Sequence, residues 1–164
     1  VIRDELGADS LPVAIAGAAL LMAIITGLAA AGIDNAMPAA ETASADGQAE
    51  SLANECRLLL SMAPGNLADP GSAAGAFQVV ELSLPAGTEY LSFGLDPEAG
   101  RSHPGTIYYK VAGTKKAVVV DPDVRFLGPG GHSTEPGPVL RAGRCLVTIE
   151  HWRDALGQRY LLVR

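Results

Sequence analysis

Aromatic residues are scarce in this chain of 164 residues: they make up 5% of it, against 48% hydrophobic residues in all, and none precedes Phe77. The first third therefore lacks the large side chains that dominate burial in an ordinary small core. Basic residues are few as well. Twelve Lys plus Arg stand against eighteen Asp plus Glu, a formal charge of −6, and this argues against the basic face that nucleic-acid binding requires. No nucleic-acid partner is expected.

Cysteine is nearly absent. Cys56 and Cys145 are the whole thiol inventory. In an oxidising compartment one disulfide between them would close a loop of about 90 residues and contribute roughly 4 kcal/mol in the chain-entropy picture; in a reducing one, two buried free thiols are ordinary. Sequons are missing too, since Asn35, Asn54 and Asn66 are not followed by the required Ser or Thr.

The motifs of catalysis are also lacking: there is no GxSxG, no HExxH, no P-loop and no GxGxxG after a strand. Gly128-Pro129-Gly130-Gly131 reads as a loop, because proline breaks it and no helix follows. His103, His132 and His151 do not show paired metal-ligand spacing. Asp121-Pro122-Asp123 supplies too few oxygens for Ca²⁺ and reads as a Pro-locked turn. No catalytic, cofactor-binding or metal residue is expected, and the chain is not expected to be an enzyme.

What is present in abundance is one apolar run, SLPVAIAGAALLMAIITGLAAAGI at residues 10–33, without a charge between Asp9 and Asp34. As a helix it would reach about 35 Å, enough for a bilayer core of roughly 30 Å. Ala19, Ala23, Gly27 and Ala31 recur every four residues within it. Small side chains at that spacing form a flat ridge along which helix backbones can approach closely. Asp9 and Ser10 suit the helix N-terminus and Pro12 its first turn. Arg3 is the only basic side chain before the run, opposed by Asp4, Glu5 and Asp9, so charge bias leaves orientation open.

Pro38 is expected to kink or interrupt the helix. Beyond it, Ala49, Leu52, Ala53, Cys56, Leu59, Leu60 and Ala63 follow helical spacing, with Glu50, Glu55 and Arg57 elsewhere on the wheel. Pro64 and Gly65 should end this amphipathic extension over residues 49–63. After a linker at 64–76 come alternating runs: FQVVELSL, YLSFGL, TIYYKV, KKAVVV, VRFL, CLVTIEHW and RYLLV. Ala112-Gly113-Thr114 is expected to form a three-residue hairpin loop. The fold class expected is α+β, a long N-terminal hydrophobic helix (1–63) followed by a small antiparallel β-sandwich head at 77–164.

This order of parts, with Glu5, the opening Ser10-Leu11-Pro12-Val13-Ala14-Ile15 and an Ala/Gly-rich apolar helix before a β-rich head, resembles the type IV pilin superfamily, and its archaeal pilin-like members most closely. The match covers about a fifth of the chain and departs from the family at Arg3, Asp4 and Asp9, where apolar residues are usual. The resemblance implies that a prepilin peptidase exposes the amine of Val1, that Glu5 pairs with a neighbour's amine, and that a pilus assembly machinery draws the subunits from the membrane into a homopolymer. An extracellular filament on the cell surface, possessing adhesive contacts, would be the product.

Physical chemistry leads the same way. A helix apolar on all sides must be covered by lipid or by other helices, because burial is worth about 25 cal/mol per Å². Copies repeating by a non-closing contact give an open helical polymer, with the Ala19, Ala23, Gly27 and Ala31 ridge as its close-contact seam. The alternative is a single-pass membrane-anchored surface protein whose β-domain binds a partner.

Overall fold

Ala and Leu dominate the chain up to Leu60, both strong helix formers, and α1 spans Ser10–Leu60 as one unbroken element. The computed structural model describes residues 10–67, 69, 75–131 and 137–164, without the side chains of 10–14, 34 and 35. Pro38 lies inside α1 and does not interrupt it, so of the two outcomes expected there the break is not realised. The chain divides into two compact units, Val1–Ala39 and Ala40–Arg164.

In the first unit every described residue from position 15 to 33 is exposed. In the second, α1 supplies part of the core: Ala45, Ala49, Leu52, Ala53, Cys56 and Leu59 are buried along one stripe, as the helical spacing requires. Leu60 is half-buried, and Ala63 is exposed because α1 stops at Leu60 instead of reaching Pro64.

Among the described residues nine strands follow: β1 Gly65–Asn66, β2 Phe77–Leu84, β3 Thr88–Asp96, β4 Arg101–Val111, β5 Thr114–Val119, β6 Val124–Leu127, β7 Val139–Leu140, β8 Gly143–Arg153 and β9 Arg159–Val163. One sheet has the order β5-β4-β3-β7 and is antiparallel throughout. The other has the order β1-β8-β9-β6, with β2 also on β8. It is mixed: β2 and β9 run antiparallel to β8, while β1 is parallel to β8 and β6 is parallel to β9. The wholly antiparallel head expected from sequence is corrected accordingly. Its parallel pairs join residues far apart in sequence, and alternation along one strand carries no information about them.

The apolar stripe of α1 packs with residues of both sheets, Leu82, Val147, Ile149 and Leu161 from the mixed sheet and Leu91, Phe93, Ile107 and Val118 from the antiparallel one. Helix and sheets thus share one core. The class is α+β.

The β4–β5 hairpin closes with two residues, since Val111 pairs with Thr114. This replaces the expected three-residue loop and forces both Ala112 (φ 48°) and Gly113 (φ 77°) into the left-handed region. A turn of this kind favours Asn-Gly, because an Ala side chain there is strained against the backbone. Ala112→Asn is therefore expected to raise stability by about 0.5–1 kcal/mol, read as a higher midpoint in urea unfolding. An unchanged or lower midpoint would count against the turn geometry.

Candidate assembly surface and its anchorage

The surface with the clearest chemical demand is the exposed apolar stretch of α1. Leu20, Leu21, Met22, Ile25 and Leu28 are each exposed by 60% or more, and Leu28 by 70%. Ala19, Ala23, Gly27 and Ala31 are exposed among them. A Cβ placed on Gly27 meets nothing within 4 Å, so within this chain nothing requires glycine there. Thr26 is the one polar side chain of residues 15–33, and its hydroxyl donates to the Met22 carbonyl at 2.8 Å. That bond removes the only side-chain donor that would be costly in an apolar environment. The helix is long and apolar enough to cross a membrane. Two further residues expected to take part in assembly, Val1 and Glu5, lie outside the described residues, as does His132.

In the second unit, polar side chains flanking the buried stripe tie α1 to both sheets. Glu41 Oε1 accepts the Gly87 N–H at 3.3 Å. Asp46 accepts the Tyr109 hydroxyl at 2.9 Å and pairs with Lys116. The Lys116 hydrogen bond holds the Asp46 carboxyl below the usual carboxylate range, while burial pushes the Tyr109 hydroxyl up. Gln48 bonds Ser83 in both directions, accepting its N–H at 2.6 Å and donating to its carbonyl. Arg57 donates to the carbonyls of Val119 and Val120. At the helix C-terminus the buried His151 ring lies 3.1 Å through Nδ1 from the Met62 carbonyl, and burial pushes its pKa down. Residues 41–62 are thereby fixed at five places, so a load on this part of the helix passes into the sheets.

Sequence placed Glu50, Glu55 and Arg57 off the apolar stripe, which is correct, but it did not single out Glu41, Asp46, Gln48 or Arg57 as anchors. Their partners are backbone and side-chain groups 35 to 70 positions away. The only signal available was that these polar residues flank a buried face.

Another cluster absent from the sequence reading lies on β3, β4 and β5. Lys110 Nζ sits 2.9 Å from Glu89 and 2.6 Å from Glu98, and Lys115 pairs with Asp96. Asp96 Oδ1 also accepts the N–H groups of Glu98 and Ala99. Lys115 is the chief reason that the Asp96 carboxyl is held low. Each cation here is matched by a carboxylate, three carboxylates to two lysines, so the network fastens the β3–β4 connection and leaves neither lysine unpaired.

Cys56 and Cys145 are free thiols, so the disulfide considered above is not formed. The register explains why. Gln48 of α1 lies against Ser83, next to the Leu82–Cys145 pair, whereas His151 lies against Met62. Cys145 is thus level with the helix near residue 48, and Cys56 is eight residues further along, or about 12 Å at 1.5 Å per residue. A disulfide spans at most about 7 Å between Cα atoms.

Burial pushes the Cys56 thiol up to about 12, which leaves almost no thiolate at neutral pH. A thiol-reactive probe is therefore expected to modify only the half-buried Cys145 in the folded protein, and both cysteines after unfolding without reductant. Labelling that required prior reduction would reinstate the bridge.

No family model matches the sequence, and neither a curated protein nor a solved structure matches it. The class that can be stated is a chain with one long, apolar N-terminal helix followed by antiparallel and mixed sheets.

Proposed function

We propose that this chain is a structural subunit of an extracellular pilus-like filament, polymerising through residues 10–33 of α1 and carrying its β-rich head outward for surface adhesion. The single observation that carries this reading is the exposure of every residue from 15 to 33 around a ridge of Ala19, Ala23, Gly27 and Ala31. Such a surface in water is very unfavourable, and identical copies can cover it for one another. Before assembly the same helix resides in a membrane, from which a pilus assembly machinery extracts it after a prepilin peptidase has acted. Glu5 pairs with the Val1 amine of a neighbour in this scheme.

The head is taken as a small β-sandwich. Supporting this, the rings of Phe93 on the antiparallel sheet and Phe126 on the mixed one meet edge to face at 5.3 Å. Anchoring of residues 41–62 to the sheets suits a subunit that must transmit tension from a helical core to a head.

The span length favours one other reading, a single-pass membrane-anchored surface protein with a binding head. Shearing the source cells separates the two: fibres of this chain in the sheared fraction support the filament, and release only by detergent supports the anchor. Gly27→Leu places a bulky side chain on the ridge and is expected to abolish sedimentable fibres while leaving the head folded. Normal fibres in that variant would remove the ridge from the assembly contact.

A further inference from the structure

The core face of β8 runs Cys145, Val147, Ile149 and then His151, where alternation calls for another apolar side chain. The His151 ring is 1% exposed, and its Nδ1 lies 3.1 Å from the Met62 carbonyl. A carbonyl only accepts, so the proton of the neutral ring sits on Nδ1 and Nε2 carries a bare lone pair. Nε2 is buried and has no hydrogen-bond partner among the described residues. The site therefore suits a neutral imidazole and has no place for a second proton, which would leave a buried N–H and a positive charge unmatched.

The surroundings of the ring offer no counter-charge. On β8 and β9 the charged groups that act on it are Arg153 and Arg159, both cationic. Glu150 stands on the opposite face of β8, bonded to Trp152 and paired with Arg164. On α1, Cys56 is buried and uncharged, and the half-buried Glu55 gives Nε2 no bond. Gly65, Asn66, Gly75 and Ala76, on the remaining side, bring no ionisable group. The Met62 carbonyl favours a cation, but burial first, and then the two guanidinium groups, hold the imidazole below its ordinary 6.5.

We propose that His151 is an acid-sensitive clasp between the C-terminal turn of α1 and the mixed sheet: protonation at Nε2 lifts residues 59–66 off β8 while the rest of the head stays folded. The seam that must part is closely fitted. The Ala63 carbonyl accepts the Ala76 N–H at 3.0 Å, the Ala76 carbonyl accepts the His151 N–H at 2.9 Å, and the Leu67 N–H donates to the Arg153 carbonyl at 2.9 Å. A Cβ on Gly75 would lie 2.0 Å from the His151 carbonyl oxygen, so this layer rests directly on β8. Above pH 6.5 the ring is neutral whether the seam is closed or open. Between 6.5 and the lower pKa of the closed seam only the open form binds the proton, so the closed form loses up to about tenfold in population ratio for each pH unit of acidification. Imidazole is the only side chain that ordinarily changes charge in this interval. Asp46, whose carboxyl is held below the usual range, keeps its tie to Lys116. Acid thus shortens the anchored part of the helix from its C-terminal end.

Hydrogen exchange of the full-length chain in detergent between pH 7.5 and 5, corrected for the intrinsic rate, tests the clasp. A background of His103→Gln with His132→Gln leaves His151 as the only imidazole. In that background the amides of Met62, Leu67 and Ala76 are expected to lose protection by up to about tenfold per pH unit below 6.5, whereas those of Ile107 and Tyr109 in β4 hold theirs. Trp152 is the only tryptophan, and a Cβ on Gly65 would lie 2.7 Å from its ring, so its fluorescence is expected to shift with the same midpoint. His151→Phe keeps a ring that cannot take a proton, and His151→Asn keeps a donor toward Met62; in either variant both signals are expected to stay flat. No loss of protection in the background, or the same loss in either His151 variant, overturns the proposal. Simultaneous loss at Ile107 and Tyr109 also overturns it, because acid would then unfold the head as a whole.

Discussion

A chain shortened to begin at Ala40 is expected to fold and remain in solution without detergent, whereas one shortened to begin at residue 61 is expected not to fold. The first cut removes the exposed apolar stretch and follows the boundary between the two compact units. The second removes Ala45, Ala49, Leu52, Ala53, Cys56 and Leu59, every one of which is at most 2% exposed. Full burial of a Leu side chain is worth about 1.5–3 kcal/mol, so Leu52 and Leu59 alone amount to about 3–6 kcal/mol. Their loss also uncovers Leu82, Val147 and Ile149, which share the same core, and natural domains hold only about 5–15 kcal/mol in total. Circular dichroism and urea unfolding distinguish the cases: a cooperative transition in the shorter chain would mean that the sheets close their core without the helix. Aggregation of the Ala40 chain would mean that apolar exposure is not confined to residues before it.

The β-rich remainder was largely legible because alternation is a local signal. FQVVELSL, VRFL and RYLLV coincide with β2, β6 and β9 residue for residue. On β8, Val147, Ile149 and His151 are buried on the face that alternation assigns to them. Two-residue strands such as β1 and β7 have no period to detect, and β1 lies in the stretch that read as a linker. The parallel pairing of β6 with β9 depends on how distant segments meet, which no window of sequence contains.

The apolar stretch of α1 was legible from composition alone, because no other part of the chain lacks charge over such a length. Its anchorage was less so. Sequence found the buried stripe, yet the partners of Asp46, Gln48 and Arg57 are set by the register of helix on sheets. The same register separates Cys56 from Cys145, although both lie on core-facing positions as expected. Facing the same core is a weaker condition than meeting within it.

Gly105→Ala is expected to be the most damaging single-methyl change in the head. Gly105 has φ +63°, and a Cβ there would lie 1.7 Å from the Asp121 carbonyl oxygen and 2.7 Å from its carbon. The obstructing group is backbone, and it is held in place. Asp121 is paired with Arg159 at 2.9 Å, its side chain accepts the Asp123 N–H, and its carbonyl accepts the Val124 N–H. On the other side, the Gly105 carbonyl receives the Val120 N–H at 2.7 Å, so strand β4 cannot retreat without breaking that bond. Gly113 supplies the internal control, because its φ is also positive, at +77°, but nothing lies within 4 Å of its Cβ position. Gly113→Ala should therefore cost only the left-handed backbone penalty of about 1–2 kcal/mol. Gly105→Ala adds the displacement of a fixed turn and should exceed about 4 kcal/mol, in the range reserved for disrupted backbone or core packing. Urea midpoints of the two variants measured side by side decide it. Equal losses would show that the approach of β4 to the Asp121 turn is looser than described, and that conformation alone accounts for both glycines.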